Sequence, residues 1–224
     1  MIGLRILNRT RAVDHAIAHR YLEVPVANVS DCMARMSAGG ARLRPMHGSG
    51  RMAGPALTVK TRPGDNLMVH KALQLAVPGD VIVVDAGGDL TNAIIGEIMV
   101  GDAMRRQLGG IVINGAIRDA AWIKVGSFPV FAAGVTHRGP YKDGPGEINV
   151  PIAIDGMVIE PGDLIIGDDD GLLCVPYAET QALLDAANHK QAIEAKMVAD
   201  IAAGTYSAPW IDETLKRLGC PVQG

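Results

Sequence analysis

The chain has 224 residues and a formal net charge of −3, and 48% of its residues are hydrophobic, 20% charged and only 4% aromatic. This composition is typical of a single globular domain with a largely aliphatic core, and it excludes an intrinsically disordered chain. The nearly balanced charge and the lack of a long run of lysine or arginine argue against a protein that binds nucleic acid mainly through phosphates.

In the first half of the chain, helices and strands are predicted to alternate. Residues 10–38 are predicted to be helical, with Ser30 or Asp31 as a cap. The elements that follow are predicted as a strand at 54–62, a helix at 65–76, a strand at 81–84, a helix at 93–108 and a strand at 111–113. The helix at 93–108 is predicted to end at Gly109-Gly110, and the strand at 111–113 at Asn114-Gly115.

The second half of the chain is predicted to be richer in strands. Asp155-Gly156 predicts a β-hairpin, because Asp-Gly accepts the positive φ angles of a primed turn. Strands are predicted at residues 164–167 and 172–175, and a long helix from about 178 to 203. This order predicts an α/β fold in which a mixed β-sheet sandwich is flanked by helices and followed by a long C-terminal helix.

The domain organisation is predicted to be simple, since no linker or low-complexity segment divides the sequence. We expect one domain over residues 1–224, with an N-terminal helical region at 1–40 and a C-terminal helix and tail at 178–224. The phrase Pro-Gly-Asp followed by an apolar strand occurs from Pro78 and again from Pro161. We interpret it as the same turn into a strand, used twice.

The cysteines and the N-terminal residues indicate the cellular compartment of the protein. Cys32, Cys174 and Cys220 are far apart and odd in number, which fits a reducing compartment and disfavours both a disulfide framework and a cysteine zinc site. Charges near the start interrupt the apolar stretch of a signal peptide, and no run approaches the roughly 18 apolar residues of a membrane span. We therefore expect a cytoplasmic protein with no membrane partner.

The strongest candidate for chemistry is Arg118-Asp119, which follows a predicted buried strand. Active sites of α/β proteins lie beyond the carboxyl ends of strands. Arginine can hold a carboxylate or an enolate oxygen in a fork, and aspartate can bind a cation such as Mg²⁺ that keeps most of its waters. The alternative is that the two residues cap the next helix or pair with each other on the surface.

A glycine-containing turn at residues 85–92 is a second candidate. Backbone amides in such a turn, with a helix N-terminus behind them, attract anions such as a small carboxylate. The turn could also be purely structural, because it lacks a Walker lysine and the three-glycine dinucleotide spacing. It resembles the first motif of methyltransferases that use S-adenosylmethionine, but the next strand ends in Asn114-Gly115 with no acid to hold a ribose.

Two carboxylates and two basic residues complete the candidates. Glu97 lies in an apolar stretch, which predicts a carboxylate that is in a cleft or paired, because a lone buried charge is costly; a helix-surface glutamate is the alternative. Glu194 taken alone is interpreted as solvated and paired with a nearby lysine. The six histidines show no zinc-ligand spacing, so His70 is interpreted as a core or surface residue. Lys60 is interpreted as an edge-strand lysine rather than a Schiff-base lysine.

These residues together resemble a known family. Glu97, twenty intervening residues and Arg118-Asp119 are similar to the acid-x20-Arg-Asp signature of class II pyruvate aldolases. These enzymes act on 4-hydroxy-4-methyl-2-oxoglutarate and 4-carboxy-4-hydroxy-2-oxoadipate, and they belong with the regulators of ribonuclease activity A in the RraA-like family. The resemblance spans about residues 29–203 and implies an RraA-like fold of the swivelling β/β/α type. It includes the stretches GPALTVKT, PGDVIVVDAGG, GGIVINGAIRD, INVPIAI and EPGDLIIGDDDG.

The resemblance also implies a site. Asp119 would bind Mg²⁺ or Mn²⁺ directly, while Glu97, and Glu194 from a neighbouring subunit of a trimer or hexamer, would hold the waters of the metal. Arg118 would bind the keto oxygen and carboxylate region of the substrate, and the catalytic residues would be Arg118, Glu97 and Asp119. The residues implied to complete the substrate pocket are Gly88, Asp89, Leu90, Thr91 and Asn92. The aldolases have aspartate at the first acidic position, where this chain has Glu97.

The function implied is a metal-dependent aldolase that cleaves 4-hydroxy-2-oxo acids to pyruvate and a second oxo acid. Oxaloacetate decarboxylation is an expected side activity, because loss of carbon dioxide gives the same pyruvate enolate. One alternative is a non-catalytic trimeric regulator that binds a ribonuclease or helicase. Another is a lyase or hydrolase that acts on a different small carboxylate. The presence of Asp119 favours a catalytic function over a regulatory one, because the regulators need no acidic residue after the arginine.

Overall fold

The computed structural model describes residues 2–36, 39 and 41–221. The chain divides into two compact units, Met1–Ala187 and Asn188–Gly224. Positions 37, 38 and 40 of the predicted N-terminal helical region lie outside the described residues, as do positions 1 and 222–224. No helix in the described part of the chain is both long and apolar enough to cross a membrane.

The first unit contains short helices and short to medium strands. In chain order they are β1 (Leu4–Ile6), α1 (His15–Arg20), α2 (Val26–Cys32), β2 (Arg44–Pro45), β3 (Met52–Thr61), α3 (Leu67–Leu75), β4 (Val81–Asp85), β5 (Ala93–Ile95), α4 (Glu97–Arg105), β6 (Gly110–Ile117), α5 (Ala120–Lys124), β7 (Val130–Val135), β8 (Gly146–Ile148), β9 (Ile152–Ile154), β10 (Met157–Ile159), β11 (Leu164–Asp168) and β12 (Gly171–Val175). Helix α6 (Thr180–Ala202) begins in the first unit and ends in the second, which also contains α7 (Trp210–Arg217).

A mixed β-sheet forms the centre of the first unit, with the strand order β1-β8-β3-β4-β6-β7-β2. Strands β3, β4, β6 and β7 are parallel, whereas β8 runs antiparallel to β3. The short strand β5 pairs with the last residues of β6, and the β11–β12 hairpin joins through β3. The carboxyl ends of β4 and β6 therefore lie side by side at one edge of the sheet.

Strand β4 shows how the sequence builds the layers on both sides of this sheet. Ile82 and Val84 belong to the core that α3 and α4 cover, whereas Val81 and Val83 belong to the core on the opposite face, with the β9–β10 hairpin. Because successive strand side chains point to opposite faces, a strand covered on both faces needs an apolar residue at every position. The helix, sheet and hairpin layers confirm the predicted mixed α/β sandwich flanked by helices.

Several predicted elements are confirmed within a few residues, among them β3, α3, β4, β11, β12 and the long helix α6. The Asp155-Gly156 hairpin is confirmed as well, because β9 and β10 pair across it. Asp155 and Gly156 have φ angles of 48° and 85°, as a primed turn requires.

Three predicted boundaries are wrong for physical reasons. The predicted helix at 10–38 is broken, because Pro25 has no N–H to continue a helix and precedes the separate helix α2. The predicted helix at 93–108 is wrong at its start, because Ala93–Ile95 forms β5 and the helix begins at Glu97. The strand predicted at 111–113 does not stop at Asn114-Gly115 but continues to Ile117, because β5 offers those last residues a pairing partner.

A buried ion pair connects the N-terminal segment to the turn before β4. Asp80 is fully buried and accepts hydrogen bonds from the Arg9 guanidinium at 2.8 and 3.1 Å and from the Val77 N–H at 3.0 Å. Arg9→Met would leave this carboxylate buried without its cation. We expect the free energy of unfolding, measured in urea, to fall by about 3 kcal/mol or more.

The matched control is Arg35→Met, which removes an exposed ion pair with Asp31. Its free energy of unfolding should change by less than about 1 kcal/mol. Equal losses in Arg9→Met and Arg35→Met would contradict the importance of burial at Asp80.

Candidate active site

Arg118 and Asp119 lie between the end of β6 and the start of α5. Asp119 occupies the N-cap position of α5 with a left-handed φ of 55°, yet its side chain makes no capping hydrogen bond. Non-glycine residues adopt this conformation uncommonly, and they often do so at functional sites. The alternative that Asp119 serves as a side-chain helix cap is therefore wrong, and the carboxylate is directed elsewhere.

The Asp119 carboxylate is bonded to the start of α4. Its Oδ2 accepts a hydrogen bond from the Glu97 N–H at 3.0 Å. The same oxygen forms an ion pair with the Nε of Arg118 at 3.7 Å, so the alternative that the two residues pair with each other is confirmed. The Arg118 N–H in turn donates to the Ile95 carbonyl at 3.0 Å. These contacts explain the spacing of the acid-x20-Arg-Asp pattern, because position 97 is placed beside Asp119 through its own backbone. The second carboxylate oxygen of Asp119 has no hydrogen-bond partner among the described residues.

A cleft of about 270 Å³ contains Arg118 and Asp119. It is also lined by Asn66, His70 and Lys142, by β5 and by the first turn of α4. Arg118 and Lys142 give this cleft two cationic side chains against the single carboxylate of Asp119. A small cleft with an excess of positive charge favours a small anionic ligand.

The N-terminus of α4 adds to this preference. Gly96, Ile98 and Met99 line the cleft, so the first turn of the helix faces it. The first N–H groups of a helix have no partner within the helix, and the helix dipole makes this end positive. At α4 the Glu97 N–H already donates to Asp119, and the Met99 and Val100 N–H groups donate to the Gly96 carbonyl, so among the described residues the Ile98 N–H is the amide of the first turn that remains available. A carboxylate in the cleft could therefore meet this amide and the Arg118 guanidinium.

Asn66, His70 and Lys142 are cleft residues that the sequence did not reveal as a group. Asn66 is buried and donates to the Ile94 carbonyl at 2.9 Å, while its Oδ1 has no hydrogen-bond partner in the described part of the chain. Burial and the nearby Lys142 ammonium lower the pKa of His70 from its ordinary value. No spacing rule connects positions 66, 70 and 142, and only the tertiary fold brings them to Arg118.

The predicted pocket residues at 88–92 lie in the turn between β4 and β5, and they do not line this cleft. The turn leads into a strand and not into a helix, so the helix N-terminus expected behind it is absent. Asp89 accepts hydrogen bonds from the Thr91 backbone N–H and hydroxyl at 2.9 and 3.1 Å, and the Asn92 side chain donates to the Gly139 carbonyl. A contact of Gly88, Leu90 or their neighbours with substrate stays a prediction.

The two predicted glutamates differ in their surroundings. Glu97 is exposed at the first position of α4, next to the cleft through its backbone bond to Asp119. Glu194 lies on α6 within the second unit, and Lys190 forms an ion pair with it at 2.9 Å, as expected for an i,i+4 pair. A role for Glu194 in a neighbouring subunit stays a prediction.

The oxygen donors at Asp119 fit a hard divalent cation. One carboxylate oxygen of Asp119 is available in the cleft, whereas the exposed Glu97 side chain is not among the groups that line it. Mg²⁺ is commonly bound by one or two carboxylates while it keeps several waters. Within residues 2–36, 39 and 41–221, no three His, Cys, Asp or Glu side chains group as a ready-made metal cage.

Comparisons with known proteins find a family model and several named relatives. The family model RraA-like, described as Aldolase/RraA, matches residues 26–174. A protein of Halalkalibacterium halodurans named "Putative 4-hydroxy-4-methyl-2-oxoglutarate aldolase" is 41% identical over 173 residues, which are 77% of this chain and 82% of that protein. A Thermus thermophilus protein named "4-hydroxy-4-methyl-2-oxoglutarate aldolase" is 30% identical over 69% of this chain and 94% of its own length.

Solved structures show the same fold. Streptomyces coelicolor RraAS2, described as an unusual member of the RNase ES inhibitor RraA protein family, has a TM-score of 0.74 and 27% identity over 83% of this chain and 98% of that one. The structure titled as the RNA-processing inhibitor RraA from Thermus thermophilus has a TM-score of 0.63 and 30% identity over 69% of this chain and 93% of that one. The RraA-like fold type implied by the sequence pattern is thereby confirmed.

Gly96 is the position where the geometry of this site is most sensitive to a side chain. A Cβ there would lie 2.2 Å from the Asp119 Oδ2 and 2.9 Å from the Arg118 Cγ. The φ of Gly96 is −153°, so alanine is compatible with its backbone and only these contacts are disturbed. We expect Gly96→Ala to weaken Mn²⁺ binding, measured by calorimetry, by about tenfold or more, because the carboxylate must move.

Gly101 on the same helix is the matched control, because a Cβ there meets no atom within 4 Å. Gly101→Ala should leave Mn²⁺ affinity unchanged and raise the free energy of unfolding by up to about 1 kcal/mol. Unchanged Mn²⁺ affinity in folded Gly96→Ala would show that Asp119 is not the metal ligand.

Proposed function

The chain belongs to the RraA-like family, and from this membership we propose that it is a carbon–carbon lyase that releases pyruvate from 4-hydroxy-2-oxo acids of the 4-hydroxy-4-methyl-2-oxoglutarate type. The observation that carries the proposal is the shared cleft of Arg118, Asp119 and the α4 N-terminus. Relatives named as aldolases support it as well.

Two sources of positive charge would bind the 2-oxo acid portion of the substrate. The Arg118 guanidinium is positioned to form a fork with the 2-keto oxygen and the adjacent carboxylate of the substrate. At the α4 N-terminus, the Ile98 N–H would donate to the same carboxylate. When the C3–C4 bond breaks, its electron pair moves toward the 2-keto oxygen, and the Arg118 charge stabilises the enolate that develops there.

A divalent cation, Mg²⁺ or Mn²⁺, fits the free oxygen of Asp119 and would supply Lewis-acid polarisation of the 2-keto group. In this proposal Glu97 accepts the C4 hydroxyl proton through an intervening water. Its extra methylene relative to aspartate extends the carboxylate further from the backbone. We include Glu194 of a neighbouring subunit of a trimer or hexamer as a second carboxylate that orients such a water.

Oxaloacetate decarboxylation belongs to the same proposal. When carbon dioxide leaves C3, the electron pair of the broken bond stays with the pyruvate unit and forms the same enolate. Arg118 and the α4 N-terminus would bind the 2-oxo acid portion of oxaloacetate as they bind that of the aldol substrate. No further residue is needed for this side activity.

The second candidate function is a non-catalytic regulator of ribonuclease activity. Its support is the likeness to structures named as RraA inhibitors. The available carboxylate oxygen of Asp119 within an anion-binding cleft favours chemistry over this candidate. Inhibition of a purified ribonuclease by Asp119→Asn as strong as by the unmodified chain, with no lyase activity in either, would favour the regulator.

Metal dependence gives a direct test of the lyase. Pyruvate release from 4-hydroxy-4-methyl-2-oxoglutarate and from oxaloacetate should stop on chelation and return with Mg²⁺ or Mn²⁺. Asp119→Asn and Arg118→Ala should each lower kcat/KM by about 10²–10³. Asp102→Asn, which removes a half-buried carboxylate elsewhere on α4 that pairs with Arg105 and Arg106, should retain full activity.

The contrary outcomes are equally specific. Inactivation by borohydride only in the presence of substrate would indicate a lysine imine and exclude the metal-dependent mechanism. Near-normal kcat/KM in folded Asp119→Asn and Arg118→Ala would show that the chemistry lies elsewhere.

The proposed sharing of the site between subunits has its own test. Glu194→Ala should lower the rate and leave metal affinity unchanged. Mixing Glu194→Ala subunits with Asp119→Asn subunits after partial denaturation should restore activity above either parent, because some sites then combine both intact residues from different chains. Mixed oligomers verified by mass that show no recovery would place Glu194 within its own subunit or outside the site.

A further inference from the structure

Asp65 is a fully buried carboxylate at the start of α3, next to the cleft residue Asn66. Its Oδ1 accepts a hydrogen bond from the Leu67 N–H at 2.9 Å. Its Oδ2 accepts hydrogen bonds from two backbone N–H groups that are distant in sequence, those of Asp143 at 2.7 Å and Gly144 at 2.8 Å. The Arg62 guanidinium adds a contact to Oδ2 at 3.1 Å.

Two of the partners of Asp65, Asp143 and Gly144, belong to a loop at residues 138–145, here called the Lys142 loop. Lys142 lies directly before Asp143. The residue that precedes Lys142, Tyr141, forms two backbone hydrogen bonds with residues 64–66. The Asn66 N–H donates to the Tyr141 carbonyl at 3.0 Å, and the Tyr141 N–H donates to the Gly64 carbonyl at 2.8 Å. The segment that carries Asn66 therefore fixes the backbone on both sides of Lys142.

The Lys142 loop also reaches the opposite wall of the cleft. The Asn92 side chain and the Ala93 N–H donate to the carbonyls of Gly139 and Arg138. A Cβ at Gly139 would lie 3.3 Å from the Nη1 of Arg118. A shift of this loop therefore moves Lys142 and changes the space around Arg118.

We propose that Asp65, assisted by Asn92, is a positioning residue that sets where Lys142 stands in the cleft and thereby how the far end of a dianionic substrate is bound. Lys142 is exposed at the cleft. Of the two cationic side chains in the cleft, Arg118 is next to Asp119 in the sequence and Lys142 is not. A 4-hydroxy-2-oxo diacid has a second carboxylate beyond the bond that breaks. This inference rests on the proposed function for its substrate, but the loop placement itself does not.

Asp80 provides a matched control for Asp65. Both carboxylates are fully buried, both accept backbone N–H groups, and both pair with an arginine. Asp80 contacts Arg9 and Val77 and does not line the cleft. Asp65→Asn and Asp80→Asn should therefore both lower stability, while only Asp65→Asn changes the cleft.

The first measurement is kinetic. We expect Asp65→Asn to lower kcat/KM for cleavage of 4-hydroxy-4-methyl-2-oxoglutarate by about 10- to 100-fold, mainly through a higher KM, and Lys142→Gln to do the same. Asp80→Asn should change kcat/KM less than about twofold at a temperature where all the variants are folded. Equal kinetic losses in Asp65→Asn and Asp80→Asn would overturn the proposal.

The second measurement needs no enzymatic activity. Burial and the Lys142 ammonium both lower the pKa of His70, so a loop that moves away should raise it. NMR titration of His70 should show a higher pKa in Asp65→Asn and in Lys142→Gln, and an unchanged pKa in Asp80→Asn. An unchanged His70 pKa in Asp65→Asn, with a raised one in Lys142→Gln, would show that Asp65 does not position the loop.

Asn92→Ala keeps the proposal testable if Asp65→Asn does not fold, since it removes only one neutral hydrogen bond to the same loop. It should shift KM and the His70 pKa in the same directions by smaller amounts, and unchanged values of both would overturn the proposal. If the His70 pKa shifts as expected but no variant and no unmodified chain releases pyruvate, the proposed function fails and the positioning role of Asp65 stands.

Discussion

The hydrogen bond from the Glu97 N–H to the Asp119 Oδ2 is the contact on which the candidate site depends. It joins the start of α4 to the end of β6, two points that are far apart in sequence but adjacent because β5 pairs with β6. The bond leaves one oxygen of Asp119 free, turns the α4 N-terminus toward Arg118, and requires a residue without a Cβ at Gly96. The left-handed backbone of Asp119 is the local strain that this arrangement stores.

Most of the fold was predictable because apolar residues recur along the sequence with the spacings typical of strands and of helices. The buried strands β4 and β6 are apolar runs between glycine turns, and Asp155-Gly156 determines its hairpin through backbone conformation alone. The prediction was wrong at β5, where three apolar residues fit a helix as well as a strand. Only the pairing with β6, which the sequence does not display, makes the segment a strand.

The site was predictable where chemistry and spacing coincide in the chain, at Arg118 and Asp119. Asn66 and Lys142 were not predictable, because each lies in an ordinary polar context and the cleft forms only when α3 and the loop at 138–145 meet. The glycine turn at residues 85–92 was selected for its resemblance to an anion-binding turn, yet the helix N-terminus at the cleft is that of α4. A pattern of glycines indicates a backbone conformation, and the direction in which that backbone faces is set by the tertiary structure.

The position of β4 between β3 and β6 in the sheet has a consequence for synthesis of the chain on the ribosome. Strand β4 can pair with β3 as soon as both have emerged, but its other edge pairs with β6, which ends 32 residues after Asp85. At roughly 5–20 residues per second, an apolar strand with an open edge persists for about 2–6 seconds in each nascent molecule. Such edges are templates for pairing between chains. The arrangement that places β4 at the centre of the mature sheet therefore leaves this stretch open to pairing between nascent chains during translation.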